Sequence, residues 1–280
     1  MEYRKLYEEG ISALTEAGIA DARIDAGLLL EYVCQTTRND LYAHGDAEVA
    51  EDRVSTYRQL IQKRSARIPL QQIVGKTEFM GLIFTVNDRV LTPRQDTECL
   101  VEEAMLVTND GDAVLDVCTG SGCILISLMR YKNDLTGVGV DLSEDALAIA
   151  RMNAEQNGVN PSIIKSDLFD QVEGTYDVIV SNPPYIRPEV IETLEPEVRD
   201  HEPRMALYGG EDGLDFYRRI IDESPNYLRG GGYLLFEIGY DQGDDVSKLM
   251  EQAGYSDVRV VKDLAGLDRV VLGRKRLSKE

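Results

Sequence analysis

From about residue 93 onward, short apolar runs alternate with amphipathic segments. The apolar runs predict strands near residues 113–117, 137–140, 163–164, 178–181, 233–238, 258–261 and 270–273. The segments between them predict helices near 123–130, 144–157, 214–228 and 244–253. This alternation predicts an α/β fold with a mostly parallel sheet, covered by helices on both faces and closed by an antiparallel pair at the end.

The chain before this region has a different pattern. Apolar positions recur at a helical period through residues 1–68, with a third helix predicted over 47–67 and stopped by Pro69. Residues 70–92 are rich in β-forming residues, punctuated by Gly75 and Gly81, and predict a β-hairpin. The predicted domains are therefore a helical part at 1–68, a hairpin linker at 69–93 and an α/β domain at 94–280.

Composition limits where the protein works. The 280 residues are 43% hydrophobic and 29% charged, as in ordinary soluble proteins. No apolar run approaches the roughly 18 residues of a membrane span, and the charged start lacks the apolar core of a signal peptide. We expect a cytoplasmic protein, a monomer, without a membrane partner.

Fifty acidic residues against thirty basic ones give a net charge of −20. Such a surface repels phosphate backbones, so we expect no direct binding to nucleic acid. The charge fits a basic protein partner and simple solubility about equally well. Four cysteines and two histidines show no metal-ligand spacing, and we expect no metal.

A turn at residues 182–185, which we call the prolyl turn, follows the buried run at 176–181. Its sequence is Asn-Pro-Pro-Tyr, and two consecutive prolines cannot continue a strand. Open α/β sheets bind ligands at this end of their strands. Asn182 offers a side-chain carbonyl, Pro183 and Pro184 offer backbone carbonyls, and Tyr185 offers a flat ring. Acceptors beside an aromatic face suit a planar NH2 group on an amide or a base.

A second turn, which we call the glycine turn, follows the first predicted strand of the α/β domain. It consists of Cys118, Thr119, Gly120, Ser121 and Gly122. Its glycines permit close approach of a ligand, and Asp141 ends the next strand, where a carboxylate can bind ribose hydroxyls. The third glycine of a dinucleotide fingerprint is replaced by Leu125, and Asp116 would repel a pyrophosphate. An adenosine ligand with a cationic, amino-acid-like end fits better, and S-adenosylmethionine has this description.

Ser166 and Asp167 follow the third predicted strand. Asp167 can accept a hydrogen bond from an adenine amino group. Aspartate is also a common cap of turns and helices. Taken without the other motifs, Asp167 is better explained as such a cap than as an adenine-binding residue.

Together these motifs resemble class I, Rossmann-like S-adenosylmethionine-dependent methyltransferases that modify planar nitrogens. More closely, the chain resembles the peptide chain release factor N5-glutamine methyltransferases (the PrmC/HemK family). The resemblance covers nearly the whole chain and includes the segments at 21–25, 92–98, 202–204, 209–217 and 268–273.

The resemblance implies that the substrate is the glutamine of the Gly-Gly-Gln motif in class 1 release factors, with S-adenosylhomocysteine as the second product. It implies catalytic roles for Asn182, Pro183 and Tyr185, which with Pro184 bind the glutamine amide. The implied cofactor residues are Cys118, Thr119, Gly120, Ser121, Gly122, Asp141, Asp167, Leu168 and Asn182. Residues 1–68 form a separate module, and we expect them to dock the substrate. We also expect the acidic loop at 188–212 to border the pocket, where Glu189, Glu192, Glu195 and Glu197 can meet basic residues of the substrate. A structural cap and a solvated loop are the alternative interpretation.

Two positions depart from the family pattern, and three other functions stay open. Cys118 stands where a further glycine is usual, and Gln95 stands where a proline is expected. A glutamine methyltransferase for a ribosomal protein has a related core. A nucleic-acid adenine methyltransferase uses similar chemistry, although the net charge disfavours it. A non-catalytic protein with a decayed site is disfavoured because the prolyl turn is intact.

Overall fold

The computed structural model describes residues 1–277 and divides into two compact units. The first unit contains Met1–Lys76 and Glu195–His201, and the second contains Thr77–Leu194 and the chain from Glu202 onward. The boundaries expected from the sequence, at residues 68 and 93, differ from this division.

The elements occur in the following order. They are α1 Tyr3–Glu16, α2 Ala22–Cys34, α3 Arg38–Ala43, α4 Glu51–Ser65, α5 Leu70–Val74, β1 Lys76–Phe79, β2 Leu82–Thr85, α6 Gln95–Val107, β3 Ala113–Val117, α7 Cys123–Tyr131, β4 Thr136–Asp141, α8 Glu144–Gln156, β5 Ser162–Lys165, β6 Tyr176–Ser181, α9 Pro188–Ile191, α10 Pro196–Arg199, α11 Asp215–Glu223, β7 Leu228–Glu237, α12 Gly243–Gln252, β8 Ser256–Lys262 and β9 Asp268–Arg274.

The first unit is helical, as predicted, and buries its own apolar core between α1, α2 and α4. Tyr57 lies at its centre, and its hydroxyl donates to the Ala26 carbonyl at 3.1 Å. A buried ion cluster also belongs to this unit. Arg64 contacts the Asp25 carboxylate at 2.7 Å and that of Glu197 at 2.8 Å. The short segment Glu195–His201 is thereby fastened to the helices of the first unit.

Two predictions in this region are wrong. The helix expected over 47–67 begins at Glu51, and the separate helix α3 precedes it, capped by Thr37. Residues 70–74 form the helix α5 instead of the first part of a hairpin. Pro69 precedes this helix, Gly75 ends it with a left-handed backbone, and its apolar side chains pack on the core of the first unit. The hairpin itself is confirmed over β1 and β2.

The second unit is built on a seven-stranded sheet with the order β5-β4-β3-β6-β7-β9-β8. The first five strands of this order are parallel, and β9 runs antiparallel to both of its neighbours. The predicted fold class is confirmed. The helix expected over 214–228 ends at Glu223, because Pro225 removes a backbone donor and a short 3-10 turn follows.

The strand order places the site. The chain runs outward from β3 through β4 to β5 and then returns to add β6 on the other side of β3. Loops that leave β3 and β6 therefore diverge, and a crevice opens at the carboxyl ends of these strands. Val117 and Ser181 are register partners there, and the Ser181 hydroxyl donates to the Val117 carbonyl at 2.6 Å. The glycine turn and the prolyl turn begin at the next residues of the two strands.

Candidate active site

The glycine turn adopts a backbone that its sequence only partly anticipates. Cys118, Gly120 and Gly122 all have positive φ, at 62°, 54° and 80°. A Cβ at Gly120 would meet no atom within 4 Å. Glycine is therefore favoured at this position by the positive φ and not by crowding, and the space next to it is open. A Cβ at Gly122 would lie 2.8 Å from Ile126, at the start of α7. Cys118 holds the left-handed backbone without being glycine, and its side chain packs on the core.

Asp116 lies beneath this turn and is fully buried. Its Oδ2 accepts a hydrogen bond from the Thr119 hydroxyl at 2.6 Å, whereas its Oδ1 has no hydrogen bond of good geometry within the described part of the chain. Burial raises the pKa of Asp116 to about 7, although hydrogen bonds from the Thr119 hydroxyl and the Leu125 amide counteract it. A buried carboxylate oxygen without a donor is costly in the free protein, and a nearby cation would relieve that cost.

Asp141, the last residue of β4, forms hydrogen bonds to the glycine turn and to the loop that follows β4. Its Oδ2 accepts from the Gly120 amide and its Oδ1 from the Ser143 amide, both at 2.9 Å. Each carboxylate oxygen can accept a further hydrogen bond, so the group retains capacity for ribose hydroxyls. Burial raises the pKa of Asp141, and the backbone amides counteract the effect.

The loop after β5 brings Asp167 and Leu168 to the same crevice. Leu168 is buried with a positive φ of 50°, and the Ser166 hydroxyl donates to its carbonyl at 2.8 Å. Asp167 is half exposed and forms an ion pair with Arg219 at 2.8 Å. This pair was not foreseen from the sequence, and the role of Asp167 toward adenine stays a prediction.

A cavity of about 660 Å³ connects these loops. Of the prolyl turn, Asn182 and Pro184 line it, whereas Pro183 is buried and Tyr185 lies outside its wall. Seven of the other predicted cofactor residues contribute to the lining. They are Cys118, Thr119, Gly120, Ser121, Asp141, Asp167 and Leu168. Gly122, which precedes the first residue of α7, does not line the cavity.

The prolyl turn is held by residues that the sequence did not single out. The Tyr185 hydroxyl donates to Glu237 Oε1 at 3.3 Å, and the Gln242 amide donates to the Tyr185 carbonyl at 3.1 Å. Asn182 Nδ2 donates to the Thr97 hydroxyl at 3.4 Å. Burial and the nearby Glu237 carboxylate raise the pKa of Tyr185, so its phenol is neutral. Thr97 stands in the segment 92–98 that supports the family resemblance, and this was the available signal.

Two further residues of the cavity lining, Thr92 and Arg94, are held by the buried Glu202. Arg94, which contributes to the lining, contacts the buried carboxylate of Glu202 at 2.6 Å. Glu202 also accepts from the Thr92 amide at 3.4 Å. Gln95 is the first residue of α6, a position where proline is equally tolerated, so this departure from the family pattern leaves the helix start unchanged.

Among residues 1–277, no group of three or more acidic, histidine or cysteine side chains is arranged to hold a metal ion. No helix in the same range is long and apolar enough to cross a membrane.

The fold and the site define a Rossmann-like, S-adenosylmethionine-dependent methyltransferase. Residues 95–194 match the family model "Methyltransferase small domain". The fold resembles a crystal structure of a methyltransferase from Pyrococcus furiosus, with a TM-score of 0.57 and 23% identity over 77% of this chain and 100% of that one.

More specific relatives cover nearly the whole sequence. Residues 5–75 match the model "PrmC N-terminal domain". The release factor glutamine methyltransferase of Geobacter sulfurreducens is 41% identical over 97% of this chain and 96% of its own length. That of Caulobacter vibrioides is 41% identical over 94% and 92%. The chain belongs to the release factor glutamine methyltransferase family.

The residues present fit S-adenosylmethionine. The open space over Gly120 admits a ligand against the backbone, and Asp141 retains acceptor capacity at the ribose position. The Asp116 carboxyl, buried beside the Thr119 hydroxyl of the glycine turn, would oppose a pyrophosphate and favours a ligand with a cationic end.

Proposed function

We propose that this protein methylates the side-chain amide nitrogen of the glutamine in the Gly-Gly-Gln motif of class 1 release factors. The observation that carries the proposal is the position of Asn182 in the prolyl turn. Its side chain lines the cofactor cavity, and its Nδ2 donates a hydrogen bond to the Thr97 hydroxyl. The Asn182 oxygen is then free to accept from a planar NH2 group. The family to which the chain belongs supports glutamine as the source of that group.

Bound S-adenosylmethionine supplies an electrophilic methyl group on its sulfonium. The protein positions the amide nitrogen of the substrate next to this methyl group. An amide nitrogen is a poor nucleophile because its lone pair is delocalised into the carbonyl. If Asn182 Oδ1 and the Pro183 carbonyl accept its two N–H groups, the nitrogen is fixed and positive charge that develops on it is stabilised. Alignment of this kind can contribute roughly 7–11 kcal/mol in favourable cases.

The proton on nitrogen becomes acidic only after methylation, so no base has to act before transfer. This order suits a turn composed of acceptors. Tyr185 supports the turn from outside the cavity wall, because its hydroxyl donates to Glu237 Oε1 and its ring packs on the core.

The first unit is proposed to dock the release factor. It carries a cavity of about 470 Å³ between α1, α2 and α3, lined by apolar, tyrosine and arginine side chains. Ile24, Leu28 and Tyr42 at this cavity are 56%, 43% and 62% exposed, a large apolar surface for a unit of this size. Apolar residues with a charged rim are typical of protein interfaces.

The acidic loop contributes less than the sequence suggested. Of its glutamates, Glu197 is bound by Arg64 and Arg67 within the first unit. Glu195 contacts Arg67 but is largely exposed, and Glu189 and Glu192 are exposed as well. We therefore retain Glu189, Glu192 and Glu195 as candidates to meet basic residues of the partner and withdraw Glu197.

The direct test is to incubate the protein with methyl-labelled S-adenosylmethionine and a purified class 1 release factor, and to map the methyl group by mass spectrometry. We expect one methyl group on the glutamine of the Gly-Gly-Gln motif and none on a release factor in which that residue is alanine. Label on a ribosomal protein or on nucleic acid offered in parallel, with none on the release factor, would overturn the proposal.

A further inference from the structure

Part of the cavity wall beside the prolyl turn is formed by residues 203–208, which we call the wall segment. Its cavity-lining members are Pro203, Met205, Ala206 and Tyr208. Ile186, which follows the prolyl turn directly, donates its amide to the Leu207 carbonyl at 2.9 Å and accepts from the Gly209 amide at 3.0 Å. The position of the wall segment therefore affects the prolyl turn.

Residues 195–201, which we call the anchor segment, come shortly before the wall segment but belong to the first unit. Two arginines hold its Glu197. Arg64 contacts Glu197 Oε1 at 2.8 Å, and Arg67 contacts Oε2 at 2.7 Å. The side chains of Arg64 and Glu197 are only 9% and 17% exposed, so water and salt screen this pair less than an ion pair on the surface.

The backbone of Arg67 is unusual for an arginine. Helix α4 ends in a Schellman motif, in which the Ile68 amide donates to the Lys63 carbonyl at 3.4 Å. Arg67 occupies the left-handed position of this motif, with a φ of 68°, where glycine is the usual residue. An arginine there has a less favourable backbone, but its side chain reaches the anchor segment.

A single peptide bond joins the anchor segment to the second unit, and the groups on both sides of this bond are held. On one side, the Gln72 side-chain amide donates to the His201 carbonyl at 2.9 Å. On the other side, the buried Glu202 carboxylate binds Arg94 at 2.6 Å and accepts from the Thr92 amide. Because one residue directly follows the other, a shift of the anchor segment displaces Glu202 and the wall segment after it.

We propose that Arg64 and Arg67 are positioning residues for the reaction, because they fix the anchor segment and thereby the wall segment beside the prolyl turn. The helical unit then has a second role besides docking, and it affects methylation of a substrate too small to dock on it. The part of this inference that concerns turnover rests on the proposed function.

Two variants loosen the anchor segment. Glu197→Ala removes the acceptor of both arginines but leaves Arg64 its other partner, Asp25, at 2.7 Å. Arg67→Gly removes the side chain and suits the left-handed backbone, so it should not weaken the end of α4. The matched control is Glu9→Ala, which removes an exposed carboxylate of α1 that Arg58 of α4 contacts at 2.6 Å.

Hydrogen exchange of the ligand-free protein is measured first. The amides of Ala206, Leu207 and Tyr208, which donate within the wall segment, should exchange about 10-fold faster or more in both variants. The amides of α2 should keep their wild-type rates. Turnover is then measured with saturating S-adenosylmethionine and a short peptide that contains Gly-Gly-Gln. Its kcat should fall by about 10-fold or more, since small misplacements of reacting groups are costly.

Glu9→Ala should match the wild type in both measurements. A merely structural role of the arginines would speed exchange in α1 and α2 and leave the wall segment unchanged. Wild-type exchange of the wall segment in either folded variant overturns the inference, and so does a wild-type kcat beside faster exchange. If Glu197→Ala fails to fold, Arg67→Gly decides. Failure of the proposed function is separate, because the wild-type protein would then transfer no methyl group to the release factor, whereas the exchange measurement needs no substrate.

Discussion

Asn182 lies between the cavity, which its side chain lines, and the buried Thr97, to whose hydroxyl its Nδ2 donates. Buried polar groups that are hydrogen-bonded stabilise one arrangement strongly, because an unpaired partner there is costly. The same reasoning applies to Asp116 and Asp141, whose carboxylates lie behind and beside the glycine turn. At the residue scale the site therefore consists of a few contacting groups and a larger number of buried groups that orient them.

Replacing Asn182 by alanine should reduce methyl transfer by on the order of 100-fold or more, because one preorganised acceptor is lost. Binding of S-adenosylmethionine should change little, since Asn182 mainly orients the substrate amide. Single-turnover transfer of labelled methyl and calorimetry of cofactor binding measure the two effects. A variant with near-normal turnover would rule out the role given to Asn182.

Replacing Asp141 by alanine should weaken S-adenosylmethionine binding by about 1.5–3 kcal/mol, or roughly 10- to 150-fold, the worth of hydrogen bonds to a charged group. The Gly120 and Ser143 amides lose their acceptor in the same change. Calorimetry measures the dissociation constant. Asp244→Ala, which removes an exposed carboxylate at the start of α12, serves as the control for charge. An unchanged constant in Asp141→Ala would place the cofactor elsewhere.

Asp116 should make the ligand-free protein less stable as the pH rises. Its pKa of about 7 in the folded state lies above the value of about 3.9 in an unfolded chain. The folded state therefore binds more protons between these values, and the free energy of unfolding falls by about 1.4 kcal/mol for each pH unit from about 4 to 7. This loss is complete above pH 7.

Urea unfolding at pH 5.5 and pH 8 measures this dependence, with Asp116→Asn as the matched variant. Asp141 and Glu237 also have raised pKa values and titrate in both proteins, so the difference between the proteins reports Asp116. The asparagine variant should lose less stability over this interval. Equal losses in the two proteins would contradict the assignment.

At the scale of elements, the prolyl turn is supported by the segment that precedes α11. Ile186 and Tyr208 form a parallel bridge, and the Gly209 amide donates to the Ile186 carbonyl at 3.0 Å. A Cβ at Gly209 would lie 2.5 Å from the Tyr185 Cα and 2.8 Å from the Pro184 carbonyl oxygen. These neighbours are backbone atoms, which cannot rotate away as a side chain can.

Gly209→Ala should therefore displace the prolyl turn and lower kcat by on the order of 100-fold, since small misplacements of reacting groups are costly. Cofactor binding should persist, because the glycine turn is a separate element. Gly230→Ala is the matched control, because a Cβ there meets only Leu277 at ordinary contact distance. Wild-type turnover in Gly209→Ala would show that the turn tolerates the shift.

The sequence predicted the seven strands of the large sheet because each is a short apolar run between turn residues. It failed at residues 70–74, where Ile73 and Val74 have high strand propensity but pack on a helical core that no local pattern reveals. The grouping of the glycine turn, Asp141 and Asp167 around one cavity could be predicted because each follows or ends a strand directly. Thr97 and Glu237 were missed because each contacts the prolyl turn only through the fold, Thr97 at Asn182 and Glu237 at Tyr185.

At the scale of the whole molecule, the reaction needs a large protein substrate to present one side chain. We propose that the exposed Ile24 and Leu28 on α2 contribute to binding it. Removing residues 1–68 is a poor test, because the deletion would cut through the first unit and leave Glu197 without Arg64 and Arg67.

The double substitution Ile24→Ser and Leu28→Ser should raise KM for an intact release factor by about 10-fold, in line with the loss of one or two interface anchors. The rate with a short peptide that contains Gly-Gly-Gln should not change. Steady-state kinetics with both substrates measure this, and Leu264→Ser, a fully exposed residue of the second unit, is the control. Equal effects on protein and peptide would argue against docking.

The path of the chain between the two units also restricts how this protein can be recombined with its relatives. The chain passes between the units after Lys76, again after Leu194 and a third time after His201. A chimera that exchanges only the amino-terminal 76 residues would combine foreign helices with the native Glu197, whose carboxylate needs arginines at the positions of Arg64 and Arg67. The first unit is therefore encoded by two separate segments of the sequence. A functional exchange has to replace residues 195–201 together with residues 1–76.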